Sequence, residues 1–333
     1  MMSRRAFLHG MTTAGMASAI SPQAAWSATA QPLETKTIKL VQIPGICVAP
    51  QYIADELLRA EGFSDVQYVY VADGAGTYKV LASGEADISM AFVAPFLIQV
   101  DAGSPIVMLA GIHVGCFELV GTEKVRSIRD LKGKTVAVLG LGSAPHVFIA
   151  SMAAHVGLDP QKDIQFVAHP PADGMRLLSE GKVDAYLGFP PDPQILRAKK
   201  IGHVVVNSSV DRPWSQYFCC IVTGNRDFVR KHPQATKRAL RATLKATDVC
   251  ALEPARAART MVDKGFTPNY DYAAEAMRQV PYDKWRTYDP ADTVRFYALR
   301  LHEAGMIKST PQKILAQGAD WRFLNELKKE LKG

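Results

Sequence analysis

The sequence predicts an α/β protein of two lobes, joined by two crossover strands and followed by a helical C-terminal region. Three observations carry this reading. LASGEADISMAFVAP at 81–95 is echoed by LSEGKVDAYLGFPPD at 178–192, so that Leu81, Gly84, Asp87 and Phe92 fall on Leu178, Gly181, Asp184 and Phe189 at one offset. KTIKLVQI at 36–43 matches KTVAVLGL at 134–141, and DVQYV at 65–69 matches DIQFV at 163–167, both 98 residues apart. Each copy also follows one order: an apolar β-branched run, a helix, a second strand-like run, a helix closing on Gly, and a short strand. That order is a βαβαβ unit with parallel strands.

Taken from the start, residues 1–30 read as a twin-arginine-type export signal. Arg4-Arg5 precede Phe7 and Leu8, a mildly apolar stretch follows, and Ala28-Thr29-Ala30 supplies a small-x-small cleavage pattern. The mature chain is expected to begin near Gln31. The first lobe is assigned to 31–123 and 220–333, the second to 124–219. In the echoed phrase, Gly84 and Gly181 sit where a helix ends in the left-handed conformation. Asp87 and Asp184 read as turn or cap residues before a strand, with Phe92 and Phe189 at its carboxyl end. LVGTEKV at 119–125 reads as the first crossing and SQYFCCIVTGN at 215–225 as the return, with flexing expected near Val120–Val125 and Phe218–Thr223. From Asp227 the pattern turns helical; its clearest helix starts at Asp289-Pro290, a cap followed by Pro, and stops at Gly305.

Composition excludes several classes. Apolar content of 48% and charged content of 21% are those of a globular protein, not a disordered one. No run beyond the signal reaches the roughly 18 apolar residues of a membrane span. The net charge of +7 falls to +5 without the two arginines of residues 1–30 and is spread along the chain. With no basic block interleaved with aromatics, nucleic-acid binding is not expected. The chain lacks a nucleophile elbow, an HExxH helix and paired CxxC motifs, so neither catalysis nor a cofactor is expected. The five cysteines, Cys47, Cys116, Cys219, Cys220 and Cys250, are odd in number and read mostly as small buried apolar residues. His113 with Cys116, and the Cys219-Cys220 pair, lack the spacing of a recognised zinc site, so no metal site is expected.

Ligands of such parallel sheets bind outside the carboxyl ends of the strands. Four loops should meet there: 44–52, 91–97, 140–148 and 188–193. They hold no Lys or Arg and one acid, Asp192. In the third, Ser143 is a candidate N-cap whose neighbouring amides would receive an anion, or simply the cap of a tight turn. The first and second lack a capping side chain before their Pro, leaving first-turn donors for a ligand or water. Tyr52, Phe92, Phe96, Phe189 and Tyr217 supply candidate aromatic walls.

APQYIADELL, LASGEADISMAFVAP, VRSIRDLKGKTVAVLGLGSAPHVF, LLSEGKVDAYLGF and CCIVTGNRDFVRKHP, in that order, make the chain resemble periplasmic substrate-binding proteins of ABC importers. The type is the nitrate/taurine/sulfonate one, similar to thiamine-pyrimidine-precursor-binding proteins. The resemblance implies a two-lobe periplasmic binding fold that closes by a hinge on a small solute and hands it to a membrane permease, with a monomer expected. Carried over, ligand contacts would involve Gln51, Tyr52, Phe92, Val93, Ala94, Ser143, Ala144, His146 and Phe189, with Phe92 and Phe189 sandwiching the solute. The rival readings are an enzyme on the same fold, related to pyrimidine synthesis, and a ligand-sensing partner of a membrane receptor. The related enzymes use a Cys-rich iron motif and an active-site Lys, of which only FCC is present here.

Overall fold

The two repeats build two five-stranded sheets, described here from a computed structural model that covers residues 31–71 and 75–332. The twin-arginine pair and the cleavage pattern lie outside the described residues. The first copy supplies β1 (Thr37–Gln42), α1 (Ala49–Ala60), β2 (Asp65–Tyr70), α2 (Gly76–Ser83), β3 (Ile88–Phe92), α3 (Val93–Asp101) and β4 (Ile106–Val114). After β5 (Glu118–Gly121), the second copy supplies β6 (Lys134–Val138), α4 (Ala144–His155), β7 (Ile164–Ala168), α5 (Pro171–Ser179), β8 (Ala185–Gly188), α6 (Asp192–Ala198) and β9 (His203–Asn207). The chain then returns through β10 (Phe218–Asn225) and ends in α7 (Arg226–Lys231), α8 (Pro233–Leu252), α9 (Pro254–Asp263), α10 (Tyr270–Gln279), α11 (Pro290–Glu303), α12 (Pro311–Gly318) and α13 (Arg322–Glu330).

The sheet orders are β2-β1-β3-β10-β4 and β7-β6-β8-β5-β9, the same topology twice. In each, three strands run parallel and the crossover strand is antiparallel to the third. β3 and β4 are buried along their whole length, which explains why ISMAF and IVMLAGIHV are near-continuous apolar runs, broken only by Ser89 and His113, rather than alternating ones. The repeat is real but slips in its first strand. Leu40 pairs with Ile88 where Val136 pairs with Ala185, so the structural offset of that strand is 96 residues, against 98 for the matched letters. A two-residue slip keeps every side chain on its own face, which is why the pattern matched in either register.

The boundary between lobes comes earlier than the sequence suggested, at both crossings. β5, inside the range assigned to the first lobe, pairs with β8 and β9 in the second sheet, and Val120 sits in that ladder. Phe218–Thr223 is likewise ladder, paired with β3 and β4. The chain changes lobe through Gly115–Phe117 on the way out and through residues 208–217 on the way back. These two segments touch. Gly115 has φ +35°, and a Cβ there would stand 2.3 Å from the Ser208 backbone. Ser208 Oγ accepts from the amides of Cys116 (3.1 Å) and Phe117 (2.9 Å) and donates to the Phe117 carbonyl (2.9 Å). β-branched content marks strands, but nothing in it marks a change of sheet.

The echoed phrases perform one mechanical job. Gly84 and Gly181 are both left-handed, at φ +80° and +66°. Asp87 accepts from the Lys39 amide (2.8 Å) and Asp184 from the Thr135 amide (3.0 Å), each carboxylate tying the third strand of its copy to the first. In the helical region, Asp289 caps α11 through the Ala291 amide (2.8 Å), and α11 packs against both α3 and α4. Among the described residues no helix is long and apolar enough to cross a membrane.

Candidate functional site

The carboxyl ends of β1, β3, β6 and β8 converge on a cavity of about 320 Å³ between the lobes. The first lobe contributes Gly45, Tyr78 and Phe92, and the second Leu139, Ala144, Pro145 and Phe189. The crossing segment adds Phe117 at the base. The walls are therefore apolar and aromatic, the usual lining of a small-molecule pocket. The lobes meet directly around it: Ile46 N–H donates to the Pro190 carbonyl (3.1 Å), Gln194 Nε2 to Gln279 Oε1 (3.0 Å) and Arg197 to Glu275 (2.7 Å). Arg197 also holds Glu118, a nearly buried carboxylate of β5. This is a closed arrangement. Of the uncapped helix starts, the 44–48 loop meets the opposite lobe through Ile46, and α3 starts behind Phe92 with no side-chain cap.

Of the residues carried over from the resemblance, Phe92, Ala144 and Phe189 line the cavity. They do not form a simple sandwich. Phe92 is only 2% exposed, held edge-on to Phe117 (5.2 Å) and Tyr297 (5.2 Å) and tilted against Phe148 (5.1 Å), while Phe189 is half-buried and meets Phe117 at 5.8 Å. The others support the wall from behind. Gln51 Nε2 donates to the Val41 carbonyl (2.7 Å). Tyr52 stacks on Phe266 at 3.7 Å, its hydroxyl donating to the Ile43 carbonyl and accepting from the Ile43 amide. Val93 and Ala94 are core residues of the first turn of α3. Ser143 does occupy the N-cap of α4, but its hydroxyl donates to the Gly140 carbonyl (2.6 Å) instead of accepting from the helix. His146 Nδ1 accepts from the Gly142 amide (3.1 Å), so the imidazole takes up one of the amides an anion would have needed. Burial lowers the pKa of His146, favouring the neutral acceptor form.

The one acid among the described residues of the wall is Asp192. Its carboxylate is 7% exposed and accepts from the Tyr186 hydroxyl. Burial pushes its pKa up to about 6, with the Tyr186 hydrogen bond opposing the shift. No Lys or Arg is among the described residues lining the cavity. The sequence had marked Asp192 as the one acid of the four loops without giving it a role.

The cysteines form a second feature, one that spacing had argued against. All five are free and buried, and Cys47, Cys116 and Cys220 reach the cavity wall. The donor atoms of Cys47, His113 and Cys116 lie within 4.8 Å of one another, as do those of His113, Cys219 and Cys220. They come from the loop after β1, the end of β4, the first crossing and the start of β10. No local motif writes that convergence; only the crossover topology does.

A family model described as the NMT1-like family matches residues 31–263. The chain belongs to the NMT1-like family. Its fold is that of solved periplasmic binding proteins. The periplasmic nitrate-binding protein from Synechocystis superposes with a TM-score of 0.74 at 17% identity, covering 91% of this chain and 90% of that one. The alkanesulfonate-binding protein from Xanthomonas axonopodis pv. citri, bound to MOPS, gives 0.71 at 16%, covering 87% and 100%. Among curated relatives, a 4-amino-5-hydroxymethyl-2-methylpyrimidine phosphate synthase of Saccharomyces cerevisiae is 22% identical over 64% of this NMT1-like chain and 67% of its own length.

Proposed function

We propose that this chain is the exported solute-binding component of an ABC importer. It captures one small organic molecule between its lobes and presents the closed form to a membrane permease. The observation that carries this reading is the apolar cavity at the strand ends, with lobe-to-lobe hydrogen bonds around it. Contacts that exist only when the lobes meet give a ligand the differential affinity needed to shift an open-closed equilibrium.

Asp192 sets the solute class. An anion such as nitrate or a sulfonate would face a carboxylate and no basic side chain, whereas an aromatic ring bearing an amino or protonated ring nitrogen would find apolar walls and an acceptor. The solute is accordingly a compact nitrogen heterocycle. A synthase on the same fold is the second reading, favoured by the curated relatives' name. It differs in returning an altered molecule.

A thermal-shift panel of amino-substituted heterocycles, aromatic carboxylates, alkanesulfonates and nitrate tests the proposal. Binding at a hundred times Kd adds about 2.7 kcal/mol, a rise of about 4 °C for a chain of this size. Heterocycles should give that rise, and the bound solute, released by denaturation, should be chemically unchanged. A rise with nitrate or sulfonate alone refutes the solute class, and recovery of a converted solute moves the chain to the synthase reading.

A further inference from the structure

We propose that Cys47, Cys116, Cys220 and His113 form a binding site for a thiophilic d¹⁰ metal ion, Zn²⁺ or Cu⁺, at the base of the interlobe cavity. This goes beyond solute capture and does not depend on which solute is carried.

Convergence is the first argument. The donor atoms of Cys47, His113 and Cys116 lie within 4.8 Å of one another, and His113 shares a second group of the same tightness with Cys219 and Cys220. Ligands on a tetrahedral ion with metal–sulfur bonds of about 2.3 Å stand roughly 3.8 Å apart, so small side-chain rotations suffice to close the shell. Cys219, whose Sγ is 3.4 Å from that of Cys116, flanks the shell as a neighbouring thiol.

The second argument is an orphaned atom. His113 is completely buried, and its Nε2 has no hydrogen-bond partner. Leaving such a group unmatched is costly, and a buried cysteine acting only as a small apolar residue does nothing to relieve it. Its Nδ1 lies 3.3 Å from the Val114 carbonyl. An Nδ1–H directed to that carbonyl leaves the Nε2 lone pair free, the tautomer a metal requires.

The third is support from behind. Tyr282 donates to the Cys47 carbonyl (2.9 Å) and sets its ring edge-on to His113 at 5.4 Å, while Ser208 holds the Cys116 amide. Groups that fix ligand positions in this way are the usual companions of a metal site. A thiolate-imidazole set selects soft or borderline ions over Mg²⁺ and Ca²⁺.

The test is a Co²⁺ titration of the full chain, reduced and stripped with a chelator, followed by displacement with Zn²⁺ and, under anaerobic conditions, with Cu⁺. The expected result is a single Co²⁺ per chain with a thiolate charge-transfer band and intense tetrahedral d–d bands, abolished by Zn²⁺ or Cu⁺. Cys116→Ser and Cys220→Ser should each weaken binding by about tenfold or more. Cys250→Ser, buried in α8 outside both donor groups, should bind as wild type. Circular dichroism of the metal-free variants separates loss of a ligand from loss of the fold. A wild-type chain that develops no thiolate band overturns the proposal whatever the variants do, as does binding unchanged in both folded Ser variants.

Discussion

The two copies of the echoed phrase share their Leu, Gly, Asp and Phe and part company in architecture after the Phe, and that difference separates scaffold from chemistry. Up to the Phe the copies share three devices: a left-handed Gly, an Asp tying the strand to its neighbour, and a buried strand. Beyond it, the first copy runs straight into the apolar start of α3, and Phe92 is sealed among three aromatic rings. The second inserts two prolines before α6 and turns Asp192 back onto Tyr186. A duplicated framework thus fixes where side chains stand, and the few residues past the repeat decide what they do there.

The largest contrast should come from the two phenylalanines. Phe92→Ala should cost about 3–5 kcal/mol in urea unfolding, the range for a fully packed aromatic. Phe189→Ala, half-buried, should cost about 1–2 kcal/mol while lowering solute affinity more visibly. Equal stability losses would show the two positions to be energetically alike and break the contrast.

Asp192→Asn sharpens it next. The folded pKa of Asp192 is near 6 against an ordinary value of 3.8, so between those values the folded chain holds the proton more tightly. Stability lost to ionisation is therefore fully lost above about pH 6 and is recovered as pH falls towards 4, a difference of about 3 kcal/mol. Relative to wild type, Asp192→Asn should be the more stable at pH 7, with the gap closing by pH 4. A gap independent of pH would mean that the carboxyl ionises as in water. The smallest effects belong to the shared scaffold: Gly84→Ala and Gly181→Ala should each cost about 1 kcal/mol, since both place a Cβ in left-handed backbone. A Tm loss confined to one of them would show that the copies diverge before the Phe as well.

The framework was legible because it is periodic. Strand alternation, Gly at helix ends and Asp289-Pro290 are local chemistry, and repetition at one spacing disclosed the topology. The site was half legible. Phe92 and Phe189 follow from strand ends and Ala144 from the family resemblance, but Gln51, Tyr52 and His146 turn out to brace backbone, a distinction set by side-chain direction, which loop position does not report. The cysteine cluster was not legible by spacing at all. Cys47 stands 66 residues before His113 in the chain, and the crossing strands alone bring them together. The crossings themselves were misplaced by several residues because a strand reads alike in either sheet.

The pairing of Glu118 with Asn207 bears on ancestry and engineering. The chain enters the second sheet at one and leaves it at the other, and these residues lie opposite each other in a ladder, about 5 Å apart. Everything between them is thus a single cassette with adjoining ends, the arrangement most tolerant of transplantation, permutation or recombination. A new second jaw can be grafted onto the first by two neighbouring joints, provided it keeps the contacts of Gln194 and Arg197 with α10 and of α4 with α11.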